Sequence, residues 1–91
     1  AALNGLTISL AAELAPNVRV NAIAPSLTET PLASRVLAND KVKESIANSH
    51  PLKRLGTPSD IASLAAFLIS NEATWITGQI LGLDGGRSNI A

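Results

Sequence analysis

Pro16 and Pro25 bracket a run, residues 18–24, that is almost continuously apolar and contains Val18, Val20 and Ile23. An apolar stretch with β-branched residues and little alternation reads as a strand buried on both faces, and such strands belong to parallel sheets. Residues 78–83 (Gly-Gln-Ile-Leu-Gly-Leu) form a second run of this kind, closed by Asp84, Gly85 and Gly86. Parallel strands need a long crossover, and the residues between these two carry helical signals. The chain therefore holds one βαβ unit, expected to be right-handed. Two parallel strands do not make a stable sheet by themselves, which calls for further chain or a partner.

The helical signals are uneven. Leu3, Leu6, Leu10 and Leu14 recur at three- and four-residue spacing ahead of Pro16, the pattern of an amphipathic helix. No capping residue precedes Ala1, so this segment reads as the middle of a helix. Thr30 is placed to cap a helix with Pro31 at its first position and Leu32, Val36 and Leu37 on its apolar side. Asp40 is placed to cap another short helix, carrying Val42 and Ile46, that stops before Pro51. This region is loosely patterned and expected to be mobile. The strongest signal is Thr57-Pro58-Ser59-Asp60: a threonine cap, a proline at the first position and an acid in the first turn. Ile61, Leu64, Ala65 and Leu68 then form a core-facing stripe on a helix over residues 58–69.

Composition narrows the function classes. The 91 residues carry no net charge, are 46% hydrophobic and contain no cysteine, so a disulfide framework and thiolate chemistry are excluded. A chain of this size buries only about 60% of its unfolded surface, which makes a self-contained core marginal. The apolar runs fall far short of the roughly 20 residues a membrane span requires, and no signal peptide opens the sequence. A cytoplasmic location is the default expectation. Aromatic residues make up 2%, and the basic residues are scattered apart from Lys41, Lys43, Lys53 and Arg54, so a nucleic-acid surface is not expected. No cluster of metal ligands stands out.

Three segments, taken in order, resemble the short-chain dehydrogenase/reductase family. Ala1-Ala2-Leu3-Asn4-Gly5-Leu6-Thr7 is similar to the stretch just past the family's Tyr-x-x-x-Lys. Val18-Arg19-Val20-Asn21-Ala22-Ile23-Ala24-Pro25-Ser26 is similar to its Arg-Val-Asn-x-Ile-x-Pro-Gly. Arg54 to Ala62, continuing through Thr77-Gly78-Gln79 to Asp84-Gly85-Gly86, resembles its last helix and strand. The resemblance covers almost the whole chain. It implies an α/β fold, the C-terminal part of a doubly wound Rossmann-type parallel sheet, contributing the last two strands with their flanking helices.

The resemblance also implies an activity: hydride transfer between NAD(H) or NADP(H) and a carbonyl/alcohol pair. Ligands in doubly wound sheets bind beyond the carboxyl ends of the strands. By resemblance, Pro25 and Ser26 shape the turn beside the nicotinamide, the Thr28 backbone meets the carboxamide, and the Thr30 hydroxyl meets carboxamide or phosphate. Ser26 replaces the family's glycine, which strains the turn only if φ is positive there. Residues 30–55 correspond to the substrate loop. The chain has no tyrosine, and the family's lysine would fall just before Ala1, so no catalytic residue is assigned and the chain alone is expected to be inactive. The family implies a homo-oligomer, dimer or tetramer, built on the first helix and on the last helix and strand.

Other polar residues receive structural readings first. Asn21 in an apolar strand must find partners and is read as a clamp. His50 is read as a surface or pocket-edge residue, Trp75 as core packing or an interface anchor, and Asp84 as part of a turn. The alternative from another class is a non-catalytic, helix-rich interaction module whose apolar stripes bind a partner.

Overall fold

The computed structural model describes residues 2–90; Ala1, where the first family-like segment opens, lies outside the described residues. In chain order the elements are α1 (Ala2–Leu14), β1 (Ala22–Pro25), α2 (Ser34–Leu37), α3 (Asp40–Asn48), α4 (Pro58–Leu68), a 3₁₀ turn (Asn71–Ala73), β2 (Ile80–Leu83) and α5 (Arg87–Ile90). β1 and β2 pair in parallel, Ala22 opposite Ile80 and Pro25 opposite Leu83. The N–H groups of Ala22 and Ser26 donate to Gln79 and Leu83 at 2.9 and 3.2 Å. Donors alternate sides along a parallel strand, so Pro25 falls where its nitrogen faces away from β2 and the ladder loses nothing.

Both strands are shorter than the apolar runs that announce them. β1 begins at Ala22 rather than Val18, and β2 at Ile80 rather than Gly78. Residues 19–21 still run beside 76–79, but side chains make most of the contacts. Asn21 Nδ2 donates to the Ile76 carbonyl at 3.1 Å, and the Gln79 N–H donates to Asn21 Oδ1 at 3.1 Å. Asn21 is thus the clamp expected of it. The Val20 N–H donates to Thr77 Oγ1 at 3.1 Å, and the Gly78 N–H returns to the Val20 carbonyl at 2.8 Å.

α4 forms as its first turn requires. Thr57 Oγ1 accepts from the Asp60 N–H at 3.2 Å, while the Asp60 carboxylate accepts from the Thr57 N–H at 2.8 Å, a complete capping box. Leu68 is buried, with Ile61, Leu64 and Ala65 half-buried beside it, so the expected stripe faces inward. At the other end, Arg19 reaches the last turn. Its Nη1 donates to the Leu68 carbonyl at 2.7 Å and to Ile76 at 3.4 Å, and Nη2 donates to Ser70 at 3.4 Å. The Leu68 carbonyl is one that a helix end leaves without an intrahelical partner, and the guanidinium fork ties it to the Ser70 and Ile76 carbonyls, which also accept from the Ala73 N–H and Asn21 Nδ2.

Several expectations are corrected. The buried face of α1 is Thr7 and Ala11 rather than the leucines; Leu10 is half-buried, while Leu3 and Leu6 are more than half exposed. Ala11 packs against Gly78, where a Cβ would lie 3.6 Å from the Ala11 Cβ, an ordinary packing distance. Thr30 does not start a helix: residues 31–33 form turns, and Thr30 Oγ1 accepts from the Ala33 N–H at 3.3 Å before α2 begins at Ser34. Asn39, not Asp40, caps α3, accepting from the N–H groups of Lys41 and Val42. Of the two places expected for His50, the surface is wrong and the pocket edge is right, since it is buried and lines a cavity; Trp75 is 98% exposed, which rules out core packing and leaves the interface anchor. α5 follows the turn at Asp84, where Gly85 and Gly86 take φ of 60° and 89°.

The core is small. Its buried hydrophobic residues are Ala11, Leu55, Leu68 and Ala73, whereas many large apolar side chains stay exposed. The radius of gyration is 15.4 Å, against about 12 Å for a self-contained globule of this length. The exposed area is 6493 Å², against about 5000 Å² for a compact monomer of this mass. The apolar faces of these elements are not closed by one another.

Candidate functional site at the carboxyl ends of the strands

β1 and β2 run in the same direction, so Pro25 and Leu83 place their carboxyl ends side by side. The chain leaves β1 through Ser26, Leu27 and Thr28 and leaves β2 through the turn at Asp84. Between these exits lies a cavity of about 90 Å³, lined by residues that include Ser26, Thr28, His50, Arg54, Asp84 and Gly85. Ligand pockets commonly span about 300 Å³ or more, so this cleft takes only part of a ligand.

Ser26 is the knot of the site. Its N–H donates to Leu83, its carbonyl accepts from Thr28 Oγ1 at 3.1 Å, and its Oγ lies 2.9 Å from His50 Nε2. Lys53 is the one residue other than glycine with positive φ among the described residues, so Ser26 sits unstrained where the family pattern has glycine. Thr28 is buried and pairs in parallel fashion with Gly56: the Glu29 N–H donates to Gly56 at 2.9 Å, and the Gly56 N–H donates to Leu27 at 3.3 Å. Its flanking residues make those bonds, so Thr28 turns its own N–H and C=O away from Gly56. Gly56 allows this close approach: a Cβ there would lie 3.0 Å from Thr28 Oγ1, tight enough that the threonine side chain would have to shift.

Arg54 and Asp60 close one side of the cleft in a two-pronged pair, Nη1 to Oδ2 at 2.7 Å and Nη2 to Oδ1 at 3.1 Å. The Arg54 guanidinium, then the Thr57 N–H and hydroxyl, hold the Asp60 carboxyl far below the usual carboxylate range. Asp84 folds back on its own turn, accepting from the N–H groups of Gly86 and Ser88 at 3.0 and 3.3 Å. That is the turn role expected of it.

The four residues singled out as cofactor contacts are only partly brought together. Ser26 and Thr28 line the cleft, and Pro25 ends the strand that leads into it. Thr30 lies beside a separate, shallow groove with Pro31, Ser34, Leu37 and the Lys43–Glu29 ion pair, whose charges are 2.8 Å apart. No group of His, Cys, Asp and Glu capable of holding a metal ion occurs among the described residues.

Comparison with known proteins places this arrangement. A family model described as enoyl-(acyl carrier protein) reductase matches residues 1–88. The chain belongs to the short-chain dehydrogenase/reductase family. Within it, the short-chain dehydrogenase/reductase SDRA of Arabidopsis thaliana is 48% identical over 85 residues, 93% of this chain and 34% of that protein. The 3-oxoacyl-(acyl-carrier-protein) reductase FabG of Thermotoga maritima is 42% identical over 83 residues, 90% of this chain and 33% of that protein. Among solved structures, a 4-hydroxyisoleucine dehydrogenase complexed with NADH superposes with TM-score 0.89 at 38% identity, over 96% of this chain and 36% of that one. The aldohexose dehydrogenase of Thermoplasma acidophilum superposes with TM-score 0.89 at 39% identity, over 99% of this chain and 39% of that one. The chain thus spans about a third of the length of these relatives. Its parallel strand pair and flanking helices are part of the Rossmann-type sheet of short-chain dehydrogenase/reductases.

Three contributors escaped the reading of the sequence. Arg19 stood in a family-like segment but had no role until α4 supplied its carbonyls. Gly56 showed no turn signal that would reveal its closeness to Thr28. His50, flanked by Ser49 and Pro51, looked like loop, and nothing local to it announces Ser26 as a partner.

Proposed function

We propose that the full-length protein moves a hydride between a nicotinamide cofactor, NAD(H) or NADP(H), and a carbonyl/alcohol pair, and that this chain forms the nicotinamide end of the site. The observation that carries this reading is the alignment of the two strand ends, Pro25 beside Leu83, opening onto residues 26–30. Doubly wound sheets bind dinucleotides at such ends. The NADH bound in the related 4-hydroxyisoleucine dehydrogenase supports the cofactor class.

The residues fit an amide. A carboxamide needs one acceptor and one donor, and Thr28 turns a backbone N–H and C=O away from its Gly56 bridge. Pro25 and Ser26 shape the turn that sets Thr28, and the Thr30 hydroxyl keeps a proton to donate while it accepts from Ala33. When bound, the cofactor supplies or takes the hydride. The chain's own residues orient the ring, and the family's acid/base tyrosine is not among them. Residues 30–55 cover the substrate side.

The same reading makes the protein a cytoplasmic homo-oligomer. Leu3, Leu6 and Ile8 on α1, with Phe67, Ile69 and Trp75 around the end of α4, form apolar surface that a neighbour would cover. No helix among the described residues is long and apolar enough to cross a membrane.

The test is turnover by the purified full-length protein, followed by cofactor absorbance, with NAD(H) and NADP(H) against a panel of carbonyls and alcohols. Turnover with one cofactor is expected. No turnover with either, together with no cofactor binding by calorimetry, overturns the reading.

A further inference from the structure

His50 is 3% exposed and sits where three parts of the chain meet. It comes just after the end of α3. Its ring reaches Ser26 at the exit of β1, and its Cβ lies 3.5 Å from where a Cβ on Gly85 would stand, beside the exit of β2. Nδ1 is 2.7 Å from the Ile46 carbonyl. A carbonyl only accepts, so Nδ1 carries the proton, and in the neutral ring Nε2 is then an acceptor. In that form of the ring the Ser26 hydroxyl, 2.9 Å away, donates to Nε2.

We infer that His50 is a positioning residue for the loop after β1: an imidazole, oriented by the Ile46 carbonyl, that holds Ser26 and through it Thr28. The inference rests on the nicotinamide reading of residues 25–30. Its physical basis is the number of constraints converging on Ser26. The Ser26 N–H is held by Leu83 and its carbonyl takes the Thr28 hydroxyl, so the imidazole supplies the remaining restraint, on the side chain. A ring wedged between α3 and the Gly85 turn moves little, and the serine bonded to it gains the same rigidity. Loose positioning of a binding loop lowers affinity by adding an ordering cost at the moment of binding. Ser26 would otherwise be an ordinary turn residue.

The two ring nitrogens can be tested separately in the full-length protein. In His50→Asn the amide reaches only as far as Nδ1, so the bond to Ile46 survives and the one to Ser26 is lost. In His50→Gln the terminal oxygen reaches the Nε2 position and can accept from Ser26. Ser26→Ala removes the hydroxyl without asking for unusual backbone. We expect His50→Asn and Ser26→Ala each to raise the cofactor KM about threefold to tenfold, the range of one hydrogen bond, with kcat little changed. His50→Gln should recover most of the loss, and the double variant His50→Asn/Ser26→Ala should be no worse than either single one. Multiplying effects, or a His50→Gln protein as poor as His50→Asn, overturns the inference. Long-range proton–nitrogen NMR of the ring gives a readout that needs no activity. An Nδ1–H ring whose Nε2 resonance moves in Ser26→Ala is expected, and an Nε2–H ring overturns the inference. A wild-type protein without nicotinamide turnover overturns the functional reading, and the NMR result then decides the His50 assignment by itself.

Discussion

Arg19 Nη1 donates to the carbonyl of Leu68 at 2.7 Å, joining the residues just before β1 to the last residue of α4. The same guanidinium reaches Ser70 and Ile76, so one side chain closes a helix end and fastens the approach to β2. Arg19→Met preserves much of the apolar stem and removes the fork. It is expected to cost about 1.5–3 kcal/mol, the range for hydrogen bonds to a charged group, read by denaturant unfolding of the full-length protein. A change within about 0.5 kcal/mol would make Arg19 an ordinary surface residue.

Asp60 makes stability sensitive to acid. Its carboxyl is held below the ordinary carboxylate range in the folded chain, so the unfolded chain takes up its proton first as the pH falls. The stabilisation is complete above the unfolded value of about 4 and shrinks as the pH drops below it. The melting-temperature gap between wild type and Asp60→Asn should therefore be constant near neutrality and narrow steadily below about pH 4. A gap that does not change with acid would show that the pairing with Arg54 and Thr57 is not what holds the carboxylate.

Thr30→Val nearly conserves volume and deletes one hydroxyl, whose bond to the Ala33 N–H is long at 3.3 Å. In the full-length protein this variant should raise the cofactor KM more clearly than it lowers the melting temperature. An unchanged KM with a clear loss of melting temperature would assign the hydroxyl to the turn ahead of α2.

The 91-residue chain produced alone should not turn over NADH or NADPH, because it contains no tyrosine to serve as the family's acid/base. Trp75 is its sole tryptophan and is 98% exposed, which provides a probe of assembly. Sedimentation should show association as concentration rises, with tryptophan emission shifting to the blue in step. A folded, cooperative monomer at low concentration would mean that the apolar faces close on themselves.

Much of the fold was legible because its signals are local. Thr57, Pro58 and Asp60 satisfy the first N–H groups of α4 from within one turn, so their spacing foretells the helix whatever surrounds it. The apolar runs around Ile23 and Ile80 likewise announce parallel strands, though the expected burial on both faces is not reached, their residues being half-buried or exposed, and a polar Asn21 in such a run has to act as a clamp. These features depend on backbone chemistry that nearby residues complete themselves.

Burial and partnership across the chain were decided only by packing. Leu3 and Leu6 have the spacing of a core stripe, yet Thr7 and Ala11 are buried, the side of α1 on which Ala11 meets Gly78. His50 reads as loop until Ser26, 24 positions earlier, is brought within 2.9 Å of its ring. Arg19 has no visible purpose until the end of α4 presents its carbonyls, 49 positions later. Periodicity records which residues can share a face. Which face is covered, and which donor meets which acceptor, depends on distances between segments that no local pattern encodes.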